Sequence, residues 1–186
     1  MNYKLLGTTI LATSVLLGAC GGEQSIKENK SETTAKKVEK EQPKKEENTG
    51  LKDNTAALND IDVKVLETEF IPKGTYEGQE KDQLGIIYEV KNKSDKEIDP
   101  ISGWYATFEA TQDSKDTVRK LETAPMPNIK KYQDYLDTQL DIIKKDGTLK
   151  NAMAYELEDT TTPVILKATK GVGGEKLGEI EVKIEK

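Results

Sequence analysis

The chain has 186 residues, 34% apolar and 33% charged, with 28 basic and 34 acidic side chains (formal net charge −6), one cysteine and no histidine. The lack of imidazole removes the Ser-His-Asp and Cys-His hydrolases, and a lone cysteine cannot form an internal disulfide. No run reaches the ~18–20 apolar residues of a spanning helix, and the acidic balance argues against nucleic acid as a partner.

Met1 to Lys4 carry one positive charge, and Leu5 to Leu16 form an uncharged, mostly apolar stretch. Its length fits the hydrophobic region of a secretory signal and is too short to cross a bilayer. The stretch ends in Leu17-Gly18-Ala19-Cys20. This sequence resembles the bacterial lipobox, which implies a lipoprotein signal peptide over residues 1–19. In that pattern the Cys20 thiol, the strong nucleophile of the segment, receives a diacylglyceryl group and becomes the new N-terminus. Two acyl chains anchor a protein stably where one does so only marginally. The expected location is therefore the outer, extracytoplasmic face of the cell membrane, with the bilayer itself as one partner.

Residues 20–57 are expected to be the lipidated cysteine and a linker. Only six of the 37 residues from Gly21 to Ala57 are apolar, and eight lysines balance eight acidic residues. Such a segment buries too little apolar surface to offset its chain entropy and is expected to be disordered. As a flexible coil it would span roughly 35 Å.

Leu58 to Lys186 carries 19 basic and 26 acidic residues in 129 positions, enough chain for one core. Its dominant period is two, the signature of strands with one face buried. Ile61, Val63 and Val65 alternate with charged residues, and Leu84, Ile86, Tyr88 and Val90 do the same. Trp104, Ala106, Phe108 and Ala110 mark a third run, with Tyr105 on its opposite face. Leu149, Asn151, Met153, Tyr155 and Leu157 mark a fourth. Val164, Leu166 and Ala168 form a fifth, and Ile180, Val182 and Ile184 a sixth; weaker runs surround Val118 and Leu140 to Ile143.

Turn compositions separate these runs at Asn92–Asp95, Asp113–Asp116, Lys145–Gly147 and Gly171–Gly174. The Asp146-Gly147 pair suits a hairpin from the run near Leu140 into the one at Leu149. The fold class expected is all-β, an immunoglobulin-like two-sheet sandwich of about seven to nine strands over residues 58–186, with a closed barrel as the alternative. Pro125 to Leu136 breaks the pattern: two prolines precede Ile129, Tyr132 and Leu136, spaced for one or two helical turns that Asn128 could cap.

Three phrases resemble an uncharacterised family of immunoglobulin-like lipoproteins from Gram-positive bacteria, a domain of unknown function. They are Ile87 to Ile98, Lys144 to Thr148, and Ala154 to Asp159 with Thr160 to Val164 following. The resemblance covers most of Asp60 to Glu185 and implies a β-sandwich without supplying an active site. Lys145 departs from it, standing where proline is expected before the turn.

No motif in the sequence marks catalytic, cofactor or metal residues. Ser94, Ser102 and Ser114 sit in neither a Ser-x-x-Lys nor a Gly-x-Ser-x-Gly setting. Glu156, Glu158 and Asp159 offer oxygen ligands for calcium, but no spaced twelve-residue loop is present, and their alternation reads as the solvated face of a strand. The expectation is a surface-tethered, non-catalytic binding module whose partner is an envelope protein or an external protein. The alternatives are a carboxylate-dependent hydrolase or enzyme accessory and a solute-binding component of a transporter. Trp104 is read as core. Tyr105, on the outward face of its run, and Tyr132 and Tyr135, in the irregular connection, are the candidate contact residues, because amphipathic tyrosines suit interfaces.

Overall fold

A computed structural model describes residues 49–186, all within one unit, Pro43–Lys186. The cysteine, the lipobox residues and most of the linker lie outside the described residues.

Among the described residues, ten strands form two antiparallel sheets. The first six strands are β1 (Gly50–Lys52), β2 (Thr55–Ala57), β3 (Ile61–Ile71), β4 (Gln83–Asn92), β5 (Phe108–Asp113) and β6 (Val118–Lys120). The remaining four are β7 (Thr123–Ala124), β8 (Thr148–Glu156), β9 (Val164–Thr169) and β10 (Lys176–Val182). One sheet runs β1-β2-β3-β4-β8-β7 and the other β10-β9-β5-β6. Side chains from both, including Val63, Ile86, Tyr88, Met153, Ala110, Leu166 and Val182, meet in a single core. The described residues thus form a two-sheet β-sandwich, with open sheet edges in place of barrel closure.

Residues 50–57, expected as linker, form the β1–β2 hairpin. Its turn places Asp53 and Asn54 at positive φ, a conformation these two residue types tolerate better than most. The charged stretch still folds because Ala56 is fully buried opposite Val63 and Leu51 packs against the core.

The run beginning at Trp104 is also corrected. Helix α1 (Pro100–Thr107) precedes β5, so Trp104 and Ala106 are helical and only Phe108 and Ala110 lie on a strand. Asp99 caps the helix by accepting from the Ser102 N–H at 2.8 Å, and Pro100 occupies the first turn, where no N–H is needed. Pro100, Gly103, Trp104 and Thr107 are the buried positions, a helical stripe of i, i+3, i+4 and i+7. Gly103 allows close approach to β4: a Cβ there would stand 2.9 Å from Val90 Cγ1.

Leu140 to Ile143 is not a strand, although the turn at Asp146-Gly147 forms, with Asp146 at φ 63° and its N–H bonded to the Asn92 carbonyl at 2.7 Å. The connection from Pro125 crosses the outer face of the six-stranded sheet. There a four-residue helix, α2 (Lys130–Gln133), starts from Ile129, and Asn128 does not cap it. Tyr132 seals a second apolar cluster with Ile71, Ile87 and Ala152. That cover explains why β4 is buried on both faces from Gln83 to Tyr88. Asn151 fastens it, donating to the Tyr135 carbonyl at 3.2 Å and to Thr138 Oγ1 at 3.3 Å.

Candidate functional site

The site is built outward from Trp104. A helix rotates about 100° per residue, so burying Trp104 turns Tyr105 outward. The Trp104 ring packs between Tyr88 and Phe108, with centroids 4.6 and 4.9 Å away. Its indole N–H donates to Tyr155 Oη at 2.8 Å, tying α1 to the end of β8. Burial pushes the Tyr155 hydroxyl up to about 12, although its hydrogen bond to Trp104 pulls the other way.

Tyr105 is 48% exposed and borders a hollow of about 260 Å³. Phe108, Ala110, Leu121 and Tyr155 are its apolar lining, and Val172, 87% exposed in the β9–β10 turn, stands at its rim. Lys120 and Glu109, paired at 2.6 Å, and Lys167 supply charge around it. The hollow is smaller than the ~300–1,000 Å³ of small-molecule sites. Its size and apolar lining suit one apolar or aromatic side chain of a partner, and an exposed tyrosine beside an apolar hollow is a common anchor of protein interfaces.

The three nominated tyrosines do not form one patch. Tyr132 is fully buried and donates to Glu69 Oε2 at 3.1 Å, so it is a core residue of the outer-face cover rather than a contact residue. Burial, with the Glu69 carboxylate close by, raises its ionisation above the ordinary tyrosine range. Tyr135 is half-buried against the same cluster. Of the three, only Tyr105 borders the hollow. Sequence reasoning missed Val172 as a functional candidate; the available signal was a large apolar residue set among turn glycines.

A second cleft, about 520 Å³, lies beside Ile61, Ile98, Gly103 and Ala106, with the Asp60–Lys96 pair (2.7 Å) at its edge. The neighbouring ammonium of Lys96 lowers the Asp60 carboxyl. Ser102 borders this cleft, but its Oγ donates to Asp99 Oδ2 at 2.6 Å, so the hydroxyl is engaged in the helix cap.

Glu156 pairs with Lys81 at 2.7 Å and Glu158 with Arg119 at 3.3 Å. Asp159 Oδ1 accepts from both the N–H and the hydroxyl of Thr161 and from the Thr162 N–H, at 2.7–2.8 Å. These bonds hold the Asp159 carboxyl well below the usual carboxylate range. Among the described residues, no three acidic, cysteine or histidine side chains gather as a metal site, and no helix is long and apolar enough to cross a membrane.

Residues 25–170 match the family described as a domain of unknown function, DUF5067. The chain belongs to that family. No curated protein matches it. Among solved structures, this DUF5067 chain is similar to a candidate lipoprotein of Staphylococcus aureus, at 25% identity and a TM-score of 0.63, over 72% of this chain and 90% of that one. A protein from Enterococcus faecalis solved by NMR is similar at 18% identity and a TM-score of 0.57, over 74% and 95% of the two chains. The second likeness concerns the fold alone.

Proposed function

We propose that this DUF5067 chain is anchored by lipid at Cys20 to the outer face of the cell membrane and uses its sandwich as a non-catalytic interaction module. Anchoring is supported by Leu17-Gly18-Ala19-Cys20 at the end of an apolar segment and by the likeness to the S. aureus candidate lipoprotein. The interaction reading is carried by one observation: the half-exposed Tyr105 and highly exposed Val172 flank an apolar hollow of about 260 Å³. The mechanism is positional. The lipid confines the domain to a plane, the tether sets its reach, and the hollow accepts an apolar side chain from a protein partner.

A photo-crosslinking residue in place of Tyr105, on intact cells, tests this. The expected result is a discrete adduct that disappears with Val172→Asp and weakens with Cys20→Ala. A yield no greater than that from the same crosslinker at the exposed Lys64 would contradict it.

A further inference from the structure

A separate groove lies between two sheet edges. Strand β3 pairs with β4 from Ile61 to Ile71, yet on its other side β2 covers only Asp62 to Lys64, and the Val65 N–H bond to the Asn54 carbonyl at 2.9 Å follows. A bulge between Val65 and Glu67 then resets the alternation of the ladder. Beyond it Glu67 and Glu69 stand opposite Ile87 and Gly85 in the pairs bonded to β4, so the backbone groups of Thr68 and Phe70 point outward. No described strand pairs with them. The facing edge is β10, whose only described partner is β9.

The gap between these edges has a volume of about 600 Å³. Leu84, Ile180 and Val182 give it apolar surface. Glu67, Glu69, Glu181 and Glu185 border it, with Lys183 the only cation among its lining residues. Lys131 bridges Glu67 and Glu69 at 3.1 and 3.0 Å, which still leaves four carboxylates facing two ammonium groups. Natural sheets ordinarily block or pair an edge of this kind, and five extended residues, about 16 Å, match the uncovered length of β3.

We propose that this groove binds an extended, basic segment of a partner protein by strand addition to β3. The partner's backbone bonds to Thr68 and Phe70. Alternate apolar side chains enter the gap, the intervening Lys or Arg side chains lie beside Glu67 and Glu69 on the other face of the sheet, and Glu181 and Glu185 at the border of the gap add attraction for the positively charged segment. Backbone pairing supplies affinity and the acidic border selects the charge. This site is distinct from the Tyr105 hollow.

The test uses the full-length protein in detergent micelles and an acetylated, amidated hexapeptide of alternating lysine and valine. Binding is followed by amide hydrogen exchange and by titration. The expected result is slowed exchange at Thr68 and Phe70 and a loss of about tenfold in affinity both for the backbone N-methylated peptide and for Glu181→Lys with Glu185→Lys. Tyr105→Ala should leave binding unchanged, which separates this site from the hollow. Absence of binding at millimolar peptide, equal binding of the N-methylated peptide, or protection of Thr68 and Phe70 by protein concentration alone (a second copy in the groove) would each overturn the proposal.

Discussion

Trp104 Nε1 donates to Tyr155 Oη at 2.8 Å, joining the only helix of two turns among the described residues to the far end of β8. Both partners are buried, so neither can exchange this bond for water. Tyr155→Phe leaves the indole N–H unsatisfied, at a cost of about 1–3 kcal/mol. Urea unfolding should show a lower midpoint with an unchanged slope. A midpoint equal to that of the wild type would mean the bond does not hold α1 in place.

Tyr88 makes the opposite case on the same ring stack. Its hydroxyl is buried and has no hydrogen-bond partner among the described residues, and burial drives its ionisation far above the ordinary tyrosine range. Tyr88→Phe removes a desolvated group while keeping the ring against Trp104. Stability should stay level or rise by up to about 1 kcal/mol. A clear loss in the same urea experiment would reveal a partner for that hydroxyl.

Gly85 leaves the space that Tyr132 fills from the outer face. A Cβ there would collide with the Tyr132 hydroxyl and stand 2.9 Å from Ile71 Cδ1. Gly85→Ala should therefore cost about 1–3 kcal/mol through overpacking. It should also raise the exposure of Tyr132, read by its alkaline titration shifting toward ordinary tyrosine behaviour. A variant as stable as the wild type, with Tyr132 still titrating late, would show that the cover adjusts freely.

Asp159 sets a sign for acid behaviour. Hydrogen bonds from Thr161 and Thr162 favour its charged form, so its folded-state pKa is depressed. The stability it contributes is present above the unfolded carboxyl value of about 3.9 and is lost as pH falls through the folded value. Asp159→Asn should flatten the decline in stability below about pH 4, measured as melting temperature against pH. Parallel acid limbs for the two proteins would contradict this.

The sandwich was legible because half-buried strands announce themselves with period two: in β9, Val164, Leu166 and Ala168 are buried while Ile165, Lys167 and Thr169 are less so. Helix α1 was hidden because Trp104 and Ala106 continue the alternation of Phe108 and Ala110 into β5, although Asp99-Pro100 carried a helix-start signal. The inward turn of Tyr132 was foreshadowed by Ile86-Ile87 and Ala152-Met153-Ala154, apolar on both faces and so in need of a cover. The hollow at Tyr105 was not legible, because it joins segments far apart in sequence, from Tyr105 to Gly173, that no local period relates.

The proposed lipid on Cys20 determines where the domain works and what it can reach. Metabolic labelling with a clickable fatty acid, followed by membrane fractionation, tests it most directly. The wild type should carry the label and sediment with membranes, while Cys20→Ala should be unlabelled. An unlabelled wild-type protein recovered in the soluble fraction would show that Cys20 holds no membrane anchor.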